Sequence, residues 1–283
     1  MMLRAALVAL TFALTLALSV PGASVLAESV PAATESDTYA VMRIPELLEV
    51  LREEGQAYGR DLAGQMFDDP DHPGWDATVA AIYDPARMSG LFRGAFDRAL
   101  DGDEEVRAAT AAFFGAEPGR AILGLEIEAR RALLDDAVQE AAALAYADLE
   151  ERRDPRVVLL QDFAAVNDLV ETNVAGTMNA NMAFLKAMAA AGGAPRDEGE
   201  MLAEVWGQED QVRADTEAWL FPFLALAYQP LSDAELKAYV AFSASPEGQR
   251  LNRALFAGFD AVFEAVSADL GRAAGLELRG RDI

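Results

Sequence analysis

Leu231-Ser232-Asp233-Ala234-Glu235-Leu236, followed by Tyr239, Val240 and Phe242 and then by Ser245-Pro246-Glu247-Gly248 and Arg250, is the stretch that decides the fold. Ser232 and Glu235 have the spacing of a capping box, in which each side chain satisfies a backbone N–H at a helix start. Tyr239, Val240 and Phe242 supply the apolar side of that helix. Ser245 can cap a second helix, Pro246 suits its first position, and Gly248 lets helices approach closely. Leu251, Leu255, Phe259, Val262, Val266 and Leu270 then recur every three to four positions. That spacing lines one face of a helix and predicts a helical hairpin with a tight corner.

Working outward, the same period covers nearly the whole chain. Pro45 opens a helix carrying Leu47, Leu48, Leu51, Tyr58, Leu62 and Met66, and 68–74 is a loop. A short helix from Trp75 to Tyr83 turns Val79 and Ile82 inward. Asp84 and Pro85 start the next, with Met88, Leu91, Phe92 and Phe96 buried. After the Asp101-Gly102 turn a helix runs from about Asp103 to Phe114. Pro118 opens a long helix with Ile122, Ile127, Leu134, Val138 and Leu144, ending near Pro155. A second long helix spans about Arg156 to Ala190, bearing Phe163, Leu169, Val174, Met178 and Met182, and Gly192-Gly193 stops it. Asp197 with Glu200 caps a helix holding Met201, Val205, Trp206, Val212 and Trp219, with a kink expected at Pro222. Alternation of period two never persists, so no strand is predicted. The fold class is all-α, a multi-helix bundle.

The order Leu231, Ser232, Glu235, Leu236, Phe242, Ser245, Pro246, Gly248 and Arg250 resembles the bacterial exported family catalogued as domain of unknown function 2059. The resemblance covers about Trp219 to Gly271. It implies an exported helical domain and carries over no catalytic residue. A degenerate second copy is expected in the first half. A shift of 128 positions sets Phe114 on Phe242, Pro118 on Pro246, Leu123 on Leu251 and Leu134 on Val262. Gly119 then falls one place early, and the capping box blurs into 101–106.

Met1 to Ala27 reads as a cleavable signal peptide. Arg4 is its positive end, Ala5 to Val20 its apolar run, Pro21-Gly22 its break, and the cut is expected after Ala27. The predicted organisation is a signal peptide at 1–27, a flexible linker at 28–43, an N-terminal helical unit at 44–153, a C-terminal unit at 154–271 and a tail at 272–283. No later stretch is long and uncharged enough to predict a stable membrane span. The periplasm is the expected compartment. The 283-residue chain carries Lys+Arg 23 against Asp+Glu 47, a formal charge of −24, which repels nucleic acid and anionic lipid. It has no cysteine, which excludes disulfides, thiolate metal sites and a Cys nucleophile.

Four groups of residues invite a chemical reading. His72, the only histidine, sits among Asp68, Asp69, Asp71 and Asp76, but two prolines interrupt the ligand spacing of a calcium loop, so a solvated loop is expected. Met178, Met182 and Met188 read as core filler rather than a soft-metal site. Asn167, Asn173, Asn179 and Asn181 could line a ligand cavity; structural amides are favoured. Trp219, Phe221, Phe223 and Tyr228 could form an apolar cleft, with core packing favoured. No catalytic, cofactor-binding or metal residue is assigned, and no cofactor is expected. The first expectation is therefore a non-catalytic binding or interaction protein with an unknown periplasmic protein partner. The alternatives are a carrier of a small apolar ligand between the two units, lined by Met182, Trp206, Trp219 and Phe223, and a carboxylate-dependent hydrolase.

Overall fold

The computed structural model describes residues 37–67, 74–193 and 196–281. The expected leader, positions 28–36 of the expected linker and the His72 loop lie outside them. The described residues form thirteen helices and no strand, an all-α bundle. In chain order these are α1 (Thr38–Val41), α2 (Ile44–Met66), α3 (Trp75–Ile82), α4 (Pro85–Ala99), α5 (Glu104–Phe114), α6 (Gly119–Ala132) and α7 (Asp136–Glu151). Then follow α8 (Pro155–Val166), α9 (Leu169–Gly192), α10 (Glu198–Trp206), α11 (Glu209–Tyr228), α12 (Asp233–Ala244) and α13 (Pro246–Arg281). No helix among the described residues is long and apolar enough to cross a membrane.

The hairpin that decides the fold forms as its residues require. Ser232 and Glu235 exchange both bonds of the capping box. Ser245 serves both helices at the corner, donating to the Phe242 carbonyl at 2.6 Å and accepting from the Gly248 amide at 3.0 Å. A Cβ on Gly248 would lie inside van der Waals contact of the Phe242 carbonyl oxygen, so only glycine lets α13 leave α12 this closely.

α13 has 36 residues, about 54 Å at helical rise. It is the spine of the molecule. α9 runs parallel to it: Gly176 meets Asp260, then Phe184 meets Gly271, then Met188 meets Gly275. α4 lies antiparallel on it, with Phe92 against Phe259 at 4.8 Å and Arg87 paired with Asp269. One apolar core joins both halves of the chain, from Leu47, Phe92 and Ile127 to Phe223, Leu251 and Phe259. A small satellite core of Val174, Met178, Val205 and Val212 holds α10 against α9 and α11.

Several expected elements differ. The helix after Pro118 is two helices: Asp135 caps α7 by accepting from the Ala137 amide at 2.8 Å, and the chain turns at 133–135. Leu134 and Leu144, expected inward, therefore stand 42% and 67% exposed. The helix from Arg156 to Ala190 breaks at Asn167-Asp168, where Asp168 adopts φ 52°. Side chains of α13 take up the carbonyls freed there: Gln249 donates to Val166 O at 2.6 Å and Asn252 to Asn167 O at 2.9 Å. Gly207-Gln208 separates α10 from α11, and α11 continues through Pro222. The expected tail continues α13 to Arg281, with Ala274 fully buried. At the end of the expected linker, α1 buries Tyr39.

The hairpins α5–α6 and α12–α13 share one build, in a register that corrects the offset of 128 to 129. Asp103 and Ser232 are the N-caps of α5 and α12. Gly119 is pressed on the Phe113 carbonyl as Gly248 is on that of Phe242. Ile122 and Leu251 are both buried, as are Leu133 and Val262. Phe113, rather than Phe114, is thus the counterpart of Phe242. Pro118 caps α6, whereas Pro246 begins α13.

Candidate functional site

The buried face of α6 carries two ionisable residues among its aliphatic ones. Ile122, Leu123, Glu126, Ile127 and Arg130 all lie within that face, with Glu126 1% and Arg130 2% exposed. Arg130 forms a two-pronged ion pair with Glu54 of α2, both bonds 2.6 Å long. Its remaining nitrogen, Nη1, is buried without a hydrogen-bond partner.

Glu126 is held differently. The phenol of Tyr228, at the end of α11, donates to its Oε1, and Tyr239 of α12 lies beside that pair. The rings of the two tyrosines are 6.0 Å apart and near right angles. Burial pushes the Glu126 carboxyl well above the usual carboxylate range, against the opposing pull of the two phenols. Burial, with the nearby Glu126 carboxyl, likewise pushes both phenols well up. The Tyr228–Glu126 bond joins α6 to α11, with Tyr239 of α12 packed against it.

Beside this cluster lies a pocket bounded by both halves of the chain, with a cavity of about 60 Å³. Met42, Phe114 and Glu126 contribute from the first half, and Phe163, Leu169, Tyr239, Phe242, Leu251, Leu255 and Phe259 from the second. Asn167, Ser243 and Asn252 are its other polar members. The Asn167 amide donates to Phe163 O at 3.0 Å, four residues back on its own helix. A separate groove of about 500 Å³ runs between α7 and α11, walled by Ala142, Leu149, Ala225, Leu226 and Leu231. Its polar end holds the pair Asp148–Arg152 at 2.9 Å, and Arg156, which pairs with Asp233 at 2.6 Å.

The signature residues take structural posts. Leu231 and Leu236 are buried, and Ser232 with Glu235 caps α12. Phe242 stacks on Phe113, Ser245, Pro246 and Gly248 make the corner, and Arg250 pairs with Asp103 at 2.8 Å. The residues expected to line a ligand cavity are dispersed. Trp206 stands 58% exposed, Met182 packs on the satellite core, and Trp219 stacks on the fully buried Phe223 at 4.9 Å. None of the four borders the pocket. Asn173 bonds to Leu169 O at 2.6 Å, and Asn179 is exposed. Met178 and Met182 pack with Val174 and Val205, and among the described residues no group of three metal-binding side chains occurs.

Glu126 was the residue hardest to pick out in the sequence. Its signal was positional: it stands four residues after Ile122 and beside Ile127, where the stripe calls for an aliphatic side chain. Comparison of the chain with protein-family models, curated proteins and solved structures finds no match.

Proposed function

We propose that the chain is an exported, non-catalytic binding protein of the periplasm that recognises a partner protein through its helical surface. The observation that carries this reading is on α10. Leu202 and Trp206 lie one turn apart and stand 47% and 58% exposed, while Met201 and Val205 anchor the other side of the same helix. A large aromatic side chain gains most when a partner covers it, and tryptophan is among the residues most enriched where binding energy concentrates. The acidic surface favours a neutral or basic partner. Export rests on the leader from Met1 to Ala27. Kinship with the exported family rests on the hairpin signature, whose capping box and corner both form.

A photo-reactive amino acid at position 206 tests the reading in cells of the host. One discrete covalent adduct, absent when the same group replaces Val158 on α8, is the expected result. No adduct from position 206, or the same smear from both positions, would remove the proposal.

A further inference from the structure

The pocket between the two halves has a polar side whose chemistry selects a ligand. The amide nitrogens of Asn167 and Asn252 each give one N–H to a backbone carbonyl, at 3.0 and 2.9 Å, and the two side-chain oxygens are free to accept. Glu126 accepts from the Tyr228 phenol, and burial pushes its carboxyl well above the usual carboxylate range, toward the uncharged form. No lysine, arginine or histidine borders the pocket. An anionic ligand would find no cation to offset its charge, and an anion or an ammonium alike would lose its hydration to aromatic and aliphatic walls. A cavity of about 60 Å³ exceeds the roughly 10–15 Å³ that one water needs, and admits a short carbon chain rather than a ring system.

We propose that this pocket binds a small neutral alcohol, or the hydroxyl end of a longer apolar one. Its hydroxyl donates its one proton to the side-chain oxygen of Asn252, and its carbons lie against Leu251 and Phe259. The site is independent of the α10 surface, so either assignment can fail alone.

Butan-1-ol is a suitable probe, with 1-chlorobutane as a partner of similar shape that lacks the donor and butyrate as the charged control. Each is titrated into the full mature chain while methyl resonances of Leu169, Leu251 and Leu255 are followed by NMR. Saturable shifts at these methyls, about tenfold tighter for butan-1-ol than for 1-chlorobutane and absent for butyrate, are expected from one additional hydrogen bond in a dry site. Asn252→Leu should bring butan-1-ol down to the affinity of 1-chlorobutane. Absence of saturable shifts in the unmodified chain, equal affinity for the two probes, or full selectivity retained in a folded Asn252→Leu variant would overturn the assignment. The comparison of probes in the unmodified chain decides the matter even if that variant does not fold.

Discussion

The ring of Phe113 lies on the ring of Phe242, centroids 4.4 Å apart and planes inclined by 13°, and each residue holds the same position in its own hairpin. Contact between a residue and its own counterpart is what a two-fold relation produces. Behind each ring a glycine is pressed against that phenylalanine's carbonyl oxygen. Gly119→Ala and Gly248→Ala should each destabilise the chain by about 1–3 kcal/mol, because a backbone atom cannot move aside as a side chain can. Gly90→Ala on α4, where a Cβ meets nothing within 4 Å, should be neutral or stabilising by roughly 0.5–1 kcal/mol. Urea denaturation of the three variants checks this; equal effects at all three positions would contradict it.

The C-terminal part of α13 belongs to the folded body. Gly271 and Gly275 press on the Phe184 and Met188 carbonyls of α9, and Ala274 is fully buried. A chain ending at Gly271 should therefore melt several degrees below the full-length protein, with α9 losing hydrogen-exchange protection near Met188. An unchanged melting temperature would show that these contacts contribute nothing.

The proposal of export carries a prediction of its own. Protein recovered from the periplasmic fraction of the host should begin at Glu28, as read by N-terminal sequencing. Recovery of the intact chain from Met1 in the cytoplasm would refute the export proposal.

Stability should depend on pH through Glu126. Its folded-state carboxyl is raised well above the ordinary value, so the native state keeps a proton that the unfolded chain has released. The contribution is complete below the ordinary carboxylate value and is lost as pH rises toward the folded one, by up to ~1.4 kcal/mol per pH unit. Glu126→Gln cannot ionise. The stability difference between wild type and Glu126→Gln should accordingly shift in favour of the variant as pH rises. Tyr228→Phe removes the phenol that donates to the buried Glu126 and should cost roughly 1–3 kcal/mol at every pH below that window. Denaturation curves at several pH values separate the two; parallel pH profiles for wild type and Glu126→Gln would contradict the assignment.

The helical class and the hairpin after Leu231 were legible because capping and apolar spacing are local properties, readable a few residues at a time. The breaks at 133–135, Asn167-Asp168 and Gly207-Gln208 were not. No proline lies within any of them, and two are settled by distant or unassuming partners: Gln249 and Asn252 cover the carbonyls freed at the second, and Asp135 caps the helix after the first. The equivalence of the two hairpins was visible one position out of register, since aligning the prolines hid the shared place of the glycines. The surroundings of Glu126 depend on Tyr228 and Tyr239, about a hundred residues further along the chain, so local spacing carries no trace of them. Trp206, expected as lining of a cavity between the two units, stands exposed, because an apolar stripe does not reveal where a short helix runs out of neighbours.

A protonated carboxyl buried between the two halves is the claim on which the interior rests, and infrared spectroscopy reads it directly. At neutral pH the folded protein should show the carbonyl stretch of an un-ionised carboxylic acid, and Glu126→Gln should abolish that band. A spectrum at neutral pH with only ionised carboxylates, or an acid band that survives Glu126→Gln, would contradict the account.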